Sequence, residues 1–357
     1  MKVKNYFNWA FSAPLLAFVF FFSGLLSNPS IIYTIIGAVF LIVGVITAVH
    51  HAEVVALKVG DPFGTIILAV SITILEVAII ISLMIAGGEH ALSYARDTLF
   101  AAVMLILTGI IGLSMLIGGL KFHEQSFTKS SATASLVSLV VILVITFILP
   151  NFTSTVDGPF YSKSQMLFVS LACLIIYVTF VTIQTTRYRK FFTSVENEVL
   201  PDDKPSNFNA YSSLVFLILC LGIVVLLAKA LSPSIENFVE TIGAPNSLVG
   251  VIIAAVVLLP EGLTAIRLAA RDNMQSSLNL SLGSALACIG LSIPAVVGVC
   301  LYLNLPIVLG IDAKSFILLG LTIFATMLSL ARGKTNILYG IVLLVILATY
   351  IFTILVP

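Results

Sequence analysis

Residues Glu53–Ser82 read EVVALKVGDPFGTIILAVSITILEVAIIIS. Behind Gly60, Asp61 and Pro62 comes an apolar run long enough to span a bilayer as a helix, which takes roughly 20 residues. A carboxylate, Glu76, stands in the middle of that run. The layout recurs at Glu236–Ile266, ENFVETIGAPNSLVGVIIAAVVLLPEGLTAI. Each stretch is Glu, six residues, Gly, one residue, Pro, and then a Glu in mid-span. Glu76 lies fourteen residues past Pro62 and Glu261 sixteen past Pro245. A second reading stands beside this repeat. Asp61 before Pro62, and Pro245 before Asn246 and Ser247, are also ordinary helix-start signals, and Glu53 and Glu236 are also ordinary interfacial charges.

Working outward, the 357 residues are 60% hydrophobic and 9% charged, against about 25% charged in soluble domains. So few charges cannot cover a soluble surface, which predicts a polytopic membrane protein with the lipid bilayer as its surroundings. A net charge of +1 gives no reason to expect nucleic acid as a partner. Cys173, Cys220, Cys288 and Cys300 fall in apolar runs without metal spacing, so they read as buried thiols. The first apolar run lacks a small-x-small cleavage site and reads as a retained helix, not a signal peptide.

Apolar runs between charge and Pro/Gly clusters predict about eleven transmembrane helices: 12–28, 31–49, 62–87, 98–120, 132–150, 165–185, 211–231, 247–268, 277–302, 313–331 and 335–356. With the N-terminus in the cytoplasm, thirteen of the 17 Lys and Arg fall inside, as the positive-inside rule asks. The C-terminus is then outside. The expected class is an all-α membrane protein of one helix plus two inverted five-helix repeats. Residues 1–30 form the N-terminal helix, 31–185 the first repeat, 186–210 a cytoplasmic acidic loop and 211–357 the second repeat. Two five-helix halves enter the membrane from opposite sides, a plan common among secondary transporters.

Of 16 acidic residues only Glu76 and Glu261 lie deep in spans. A charged carboxylate there costs at least roughly 2.5 kcal/mol, and no Lys, Arg or His lies deep in a span to neutralise it. A proton or a bound cation remains as counter-charge. Two such groups can exchange one for the other. Ser71, Thr73, Thr264, Ser277, Asn279, Ser281 and Ser284 lie on the spans that hold or follow them. Hard cations take such oxygens. Ser277, Ser281 and Ser284 share a helix face. Pro260 frees a carbonyl near Val256, and Gly262 lets the chain bend or approach a neighbour. Thr73, Ser277, Asn279, Ser281 and Ser284 are therefore candidate surrounding ligands.

Other groups are candidates for ion access. His50, His51 and Glu53 are expected at the cytoplasmic end of the second span, and Glu236 at an outer end. The histidine pair reads as interfacial, with a metal site or a pH sensor as alternatives. Glu196, Glu198, Asp202 and Asp203 in the long loop read as a solvated linker or a cation collector. The glycines of GIIGLSMLIGG in the fourth span read as helix-packing positions.

The stretches HAEVVALKVGDPFGTIILAVSITILEVAIIIS and LLPEGLTAIRLAARDNMQSSLNLSLGSALACIGLSIPAV resemble the two α-repeats of ChaA-type calcium/proton antiporters. These form part of the cation/proton exchanger branch of the calcium/cation antiporter superfamily. The resemblance covers most of the chain. It implies that Glu76 and Glu261 bind Ca2+ and protons, and that Gly283, Ser284 and Ala285 form the family's polar turn. Relatives in plants and yeast carry Gly-Asn-Ala-(Thr/Ala)-Glu at the key carboxylates. Here those stretches are ITILE and LLPEG, with Thr73 in the Asn position. The expected function is export of cytoplasmic Ca2+ against protons by alternating access, at the cell membrane. It needs no cofactor and no enzyme activity, and a homo-oligomer is compatible with it. A Na+ or K+/proton antiporter on the same scaffold is the alternative. A metal-dependent intramembrane hydrolase built on His50, His51 and Glu53 is a more remote one.

Overall fold

The computed structural model describes residues 6–27, 30–60, 63–86, 91–186 and 205–356. Twelve α-helices carry the chain among these residues: α1 Tyr6–Phe22, α2 Ile31–Val59, α3 Phe63–Ala86, α4 Ala91–Met104, α5 Ile111–Phe122, α6 Lys129–Leu143, α7 Lys163–Thr185, α8 Asn207–Thr241, α9 Ser247–Ala269, α10 Met274–Leu303, α11 Ala313–Leu330 and α12 Ile337–Leu355. A π-helical stretch, Leu105–Ile110, joins α4 to α5, and another, Val144–Ile148, extends α6. Counted as continuous spans, ten described helices are long and apolar enough to cross a membrane, and Trp9–Phe22 is a shorter apolar helix. This is a multi-pass membrane protein, with the number of apolar helices that the sequence predicts. Its four cysteines are buried thiols, none in a disulfide.

The helix ends correct several expected boundaries. α2 runs ten residues past the expected 49, and α8 runs to Thr241 instead of 231. At 29 and 35 residues, these helices are about 44 and 52 Å long, longer than the roughly 30 Å hydrocarbon layer. Polar residues do not end a helix; a backbone that turns away does. α2 stops at Gly60 (φ 78°), and just beyond α8 Gly243 has φ 70°, a region glycine enters at little cost. The glycines of the two matching motifs therefore do the same work. Glu53, His50, His51 and Glu236 accordingly lie within helices, not at their ends or between them. Asp61, Pro62 and the acidic loop with Glu196, Glu198, Asp202 and Asp203 lie outside the described residues.

Packing divides the chain into two compact units, Met1–Ala91 with Pro201–Ile242, and Leu92–Leu200 with Gly243–Pro357. In the first, α2 packs along α8, with α1 and α3 beside them. Gly44 lets the helices close, since a Cβ there would come 2.9 Å from Val224 Cγ2. In the second, α10 is surrounded by α5, α6, α7 and α9. A two-residue ribbon, Gln125–Ser126 against Lys334–Thr335, ties two loops of this unit together.

His51 has a structural task in the first unit. Pro14 lies inside α1 and has no N–H, so the Ala10 carbonyl one turn earlier loses its helical donor. His51 Nε2 donates to that carbonyl at 3.1 Å. The ring is fully buried, edge-on to Phe11 and beside Phe216. His50 is half-buried near Trp9. We expect His51→Leu to cost about 1–3 kcal/mol, the penalty of an orphaned buried carbonyl. His51→Gln, which keeps a donor, should recover much of it. Thermal melts of the detergent-solubilised chain measure this, and a His51→Leu protein as stable as wild type would remove the account.

Candidate functional site

The first unit places Glu76 on the buried face of α3, 5% exposed. Thr73 lies one turn before it, and Ile80 and Leu83 lie one and two turns after, all buried. Val70, Ile74 and Ile85 occupy the opposite, exposed face. The apolar periodicity that makes α3 a spanning helix thus turns a carboxylate inward with its neighbours. Ser71 is buried too, but its hydroxyl donates to the Ile67 carbonyl at 2.8 Å. That bond commits the Ser71 proton to its own helix.

The second unit places Glu261 on α9, part-buried, with Ser284 Oγ of α10 donating to its Oε2. Pro260 does not break the helix. α9 is continuous from Ser247 to Ala269, because the flanking turns remain bonded and tertiary packing holds both sides. Thr264 Oγ1 donates to the Pro260 carbonyl at 2.9 Å. Gly262 serves close approach instead of bending: a Cβ there would come 3.2 Å from Ile110 Cδ1.

The remaining α10 candidates differ in role. Ser281 Oγ donates to the Ser277 carbonyl at 2.9 Å, whereas Ser277 Oγ is fully buried with no protein partner. Asn279 Oδ1 accepts from Gln275 Nε2 at 2.9 Å, and the same amide donates to Ser131 Oγ on α6. Asn279 is therefore part of the α6–α10 junction. In the first unit Glu53 is exposed, and Glu236 Oε1 accepts from Ser232 Oγ at 3.0 Å. Among the described residues no three His, Cys, Asp or Glu side chains gather as a metal-holding group.

The sodium/calcium exchanger protein family matches residues 29–186 and 212–356. The chain belongs to this family. Within the sodium/calcium exchanger family its relatives are of the ChaA cation/proton exchanger type that the two stretches resemble. The sodium-potassium/proton antiporter ChaA of Escherichia coli is 31% identical over 313 residues, covering 86% of this chain and 84% of that protein. The protein y4hA of Sinorhizobium fredii is 40% identical over 335 residues, covering 93% of this chain and 91% of its own. The exchanger fold is shared with the crystal structure of the selenium-substituted Ca2+/H+ antiporter protein YfkE. That likeness has a TM-score of 0.73 at 18% identity, covering 99% of this chain and all of that one.

Sequence reasoning missed the π-helical turn of this exchanger-family chain and what surrounds it. Thr108 is fully buried there and donates to the Met104 carbonyl at 2.5 Å. π turns of this kind recur at functional sites, yet Leu-Ile-Leu-Thr-Gly-Ile carries no signal that separates π from α winding. Tyr177 of α7 was missed as well. It packs on Gly290, where a Cβ would come 2.7 Å from Tyr177 Cβ.

Proposed function

We propose that this chain is a secondary antiporter of the cell membrane that exports Ca2+ from the cytoplasm in exchange for protons. Glu76 and Glu261 are the two carboxylates that alternately hold protons and the cation, in a site reached from each side in turn. The inverted-repeat plan puts one of them in each half. The observation that carries this reading is Glu261, an in-span carboxylate held by a Ser284 hydroxyl, in a chain of an exchanger family. Glu76 supports it, because it is inward-facing at the matching place of the other half and sits beside Thr73. The matching turns at Gly60 and Gly243 support the repeat.

The chemistry follows from the ligand type. A carboxylate that has lost its proton offers a hard cation a full negative charge and two oxygens. Once protonated it is neutral and releases the cation. Falling pH therefore favours the proton-loaded form and rising pH the cation-loaded form. Thr73, Ser277, Asn279, Ser281 and Ser284 contribute neutral oxygens to the same exchange. Glu53, His50 and Glu236 serve approach to the site. The hydrolase alternative draws no support, because His51 is engaged in holding the Ala10 carbonyl.

A second reading, exchange of Na+ or K+ for protons, is favoured by the Escherichia coli relative, whose name states that activity. One experiment tests both. Reconstituted vesicles with an imposed pH gradient receive CaCl2, NaCl or KCl, and a pH dye reports proton movement. We expect Ca2+ to collapse the gradient. Collapse by Na+ or K+ but not Ca2+ selects the second reading, and no response to any of the three sinks both.

A further inference from the structure

A column of buried polar groups runs from Glu261 to one end of the second unit. On α10, Ser277, Ser281 and Ser284 lie four and three residues apart and form one stripe. From Ser277 to Ser284 it rises about 10 Å and ends at the Glu261 carboxylate, which accepts from Ser284. On α5 a facing stripe runs antiparallel. Ile110, in the π turn before α5, meets Gly262 beside Glu261. Ser114 is one turn on, and Gly118 one turn further, where the missing side chain leaves room for Gln125 Oε1 and Met274 Cε. Met274 is itself three residues before Ser277 on the α10 stripe. Gln125 then links the line to Asp272, its Nε2 donating to the Ala269 carbonyl and to Asp272 Oδ1, each at 2.9 Å. Asp272 is exposed.

Three polar atoms along this line have no protein partner: Gln125 Oε1, Ser114 Oγ and Ser277 Oγ. Gln125 is 2% exposed and both serines are 0%. A single orphaned buried polar group costs about 1–3 kcal/mol, so three on one line between packed helices call for a common partner. A buried water takes two to four polar partners. Each serine hydroxyl both donates and accepts, whereas the Ser281 proton is committed to the Ser277 carbonyl and leaves its lone pairs.

We propose that this column, lined by Gln125, Ser114, Ser277, Ser281 and Ser284, holds a short file of water that carries protons between Glu261 and the Asp272 end of the unit. It rests on the antiport reading above. The Glu261 carboxyl O–H breaks and its proton joins the adjacent water. That water passes a proton of its own to the next, and one proton leaves at the Gln125–Asp272 mouth. Glu261 remains as a carboxylate for the cation to neutralise, and no electrons move. Ca2+ asks for six to eight oxygens, which a column of single hydroxyls does not offer. Proton and cation therefore reach Glu261 by different routes. The mouth lies at the end that holds Lys121, Arg267, Arg271, Arg332 and Lys334, the end expected to face the cytoplasm.

The test uses the full chain in vesicles and two fluxes. One is proton movement driven by whichever cation drives the wild type. The other is isotopic exchange of that cation against itself at equal pH on both sides, which needs no proton. Ser114→Ala removes one of the orphaned hydroxyls. We expect its proton-coupled flux to fall about tenfold or more while its cation self-exchange stays at the wild-type rate. Ser114→Thr, which keeps the hydroxyl, should keep both. Full proton coupling in Ser114→Ala overturns the proposal. An equal fall in both fluxes also overturns it, since that marks a packing role. A wild type that self-exchanges the cation but moves no protons sinks the antiport reading itself.

Discussion

Glu261→Gln in sealed vesicles is expected to abolish cation-driven proton movement, and Glu76→Gln to do the same. Glutamine matches the carboxylate in size, and its amide oxygen still accepts from Ser284 in place of Glu261 Oε2. Only the charge and the titratable proton disappear. One unit charge about 4 Å away is worth on the order of 4 kcal/mol at an effective dielectric of 20, or roughly a thousandfold in cation affinity. A divalent ion loses more. Folding should not suffer, because a neutral amide costs less inside a bilayer than a charged carboxylate does. Each variant should thus melt no lower than wild type while transporting nothing, a combination that a merely structural glutamate does not produce. The pH response adds a check. Wild-type cation binding should strengthen as pH rises, as protons leave the carboxylates, and each Gln variant should lose its share of that dependence. Near-normal transport in both variants would end the two-carboxylate account.

That result would rest on residues legible in the sequence, and the reason is energetic. A mid-span carboxylate is costly enough to stand out from a single chain, and Glu76 and Glu261 do. Span number is legible for the same reason, since the bilayer demands long apolar runs. Helix ends were less so. α2 and α8 continue through His50, Glu53, Lys229 and Glu236 because backbone hydrogen bonding tolerates polar side chains, and only the turns at Gly60 and Gly243 stop them. The part of the site that depends on contact between helices was not legible. Ser114, Tyr177 and the π turn gain meaning from what packs against them. Likewise, His51 looked like an interfacial metal or pH group until Pro14 orphaned the Ala10 carbonyl beside it.

Gly340→Ala is expected to lower thermal stability sharply. A Cβ at Gly340 of α12 would lie 2.6 Å from Leu116 N and 2.7 Å from the Gly112 carbonyl oxygen of α5. These are backbone atoms, so no rotamer change relieves the overlap. The two helices must part by several tenths of an ångström, and overpacking of this kind costs about 1–3 kcal/mol. The opposite glycine agrees, since a Cβ at Gly112 would come 3.2 Å from the Gly340 carbonyl oxygen. This is the close approach that the small residues of GIIGLSMLIGG predict. Gly320 of α11 supplies the control: a Cβ there meets nothing within 4 Å. Gly320→Ala should therefore hold or raise stability, by up to about 1 kcal/mol, because alanine favours a helix over glycine. Melting curves of the two variants in one detergent should move in opposite directions. The damage at Gly340 should also reach function, because the turn before α5 carries Ile110, which packs on Gly262 beside Glu261. Reduced transport is then expected to accompany the lower melting point. A Gly340→Ala protein that melts with Gly320→Ala would show that α5 and α12 do not depend on this contact.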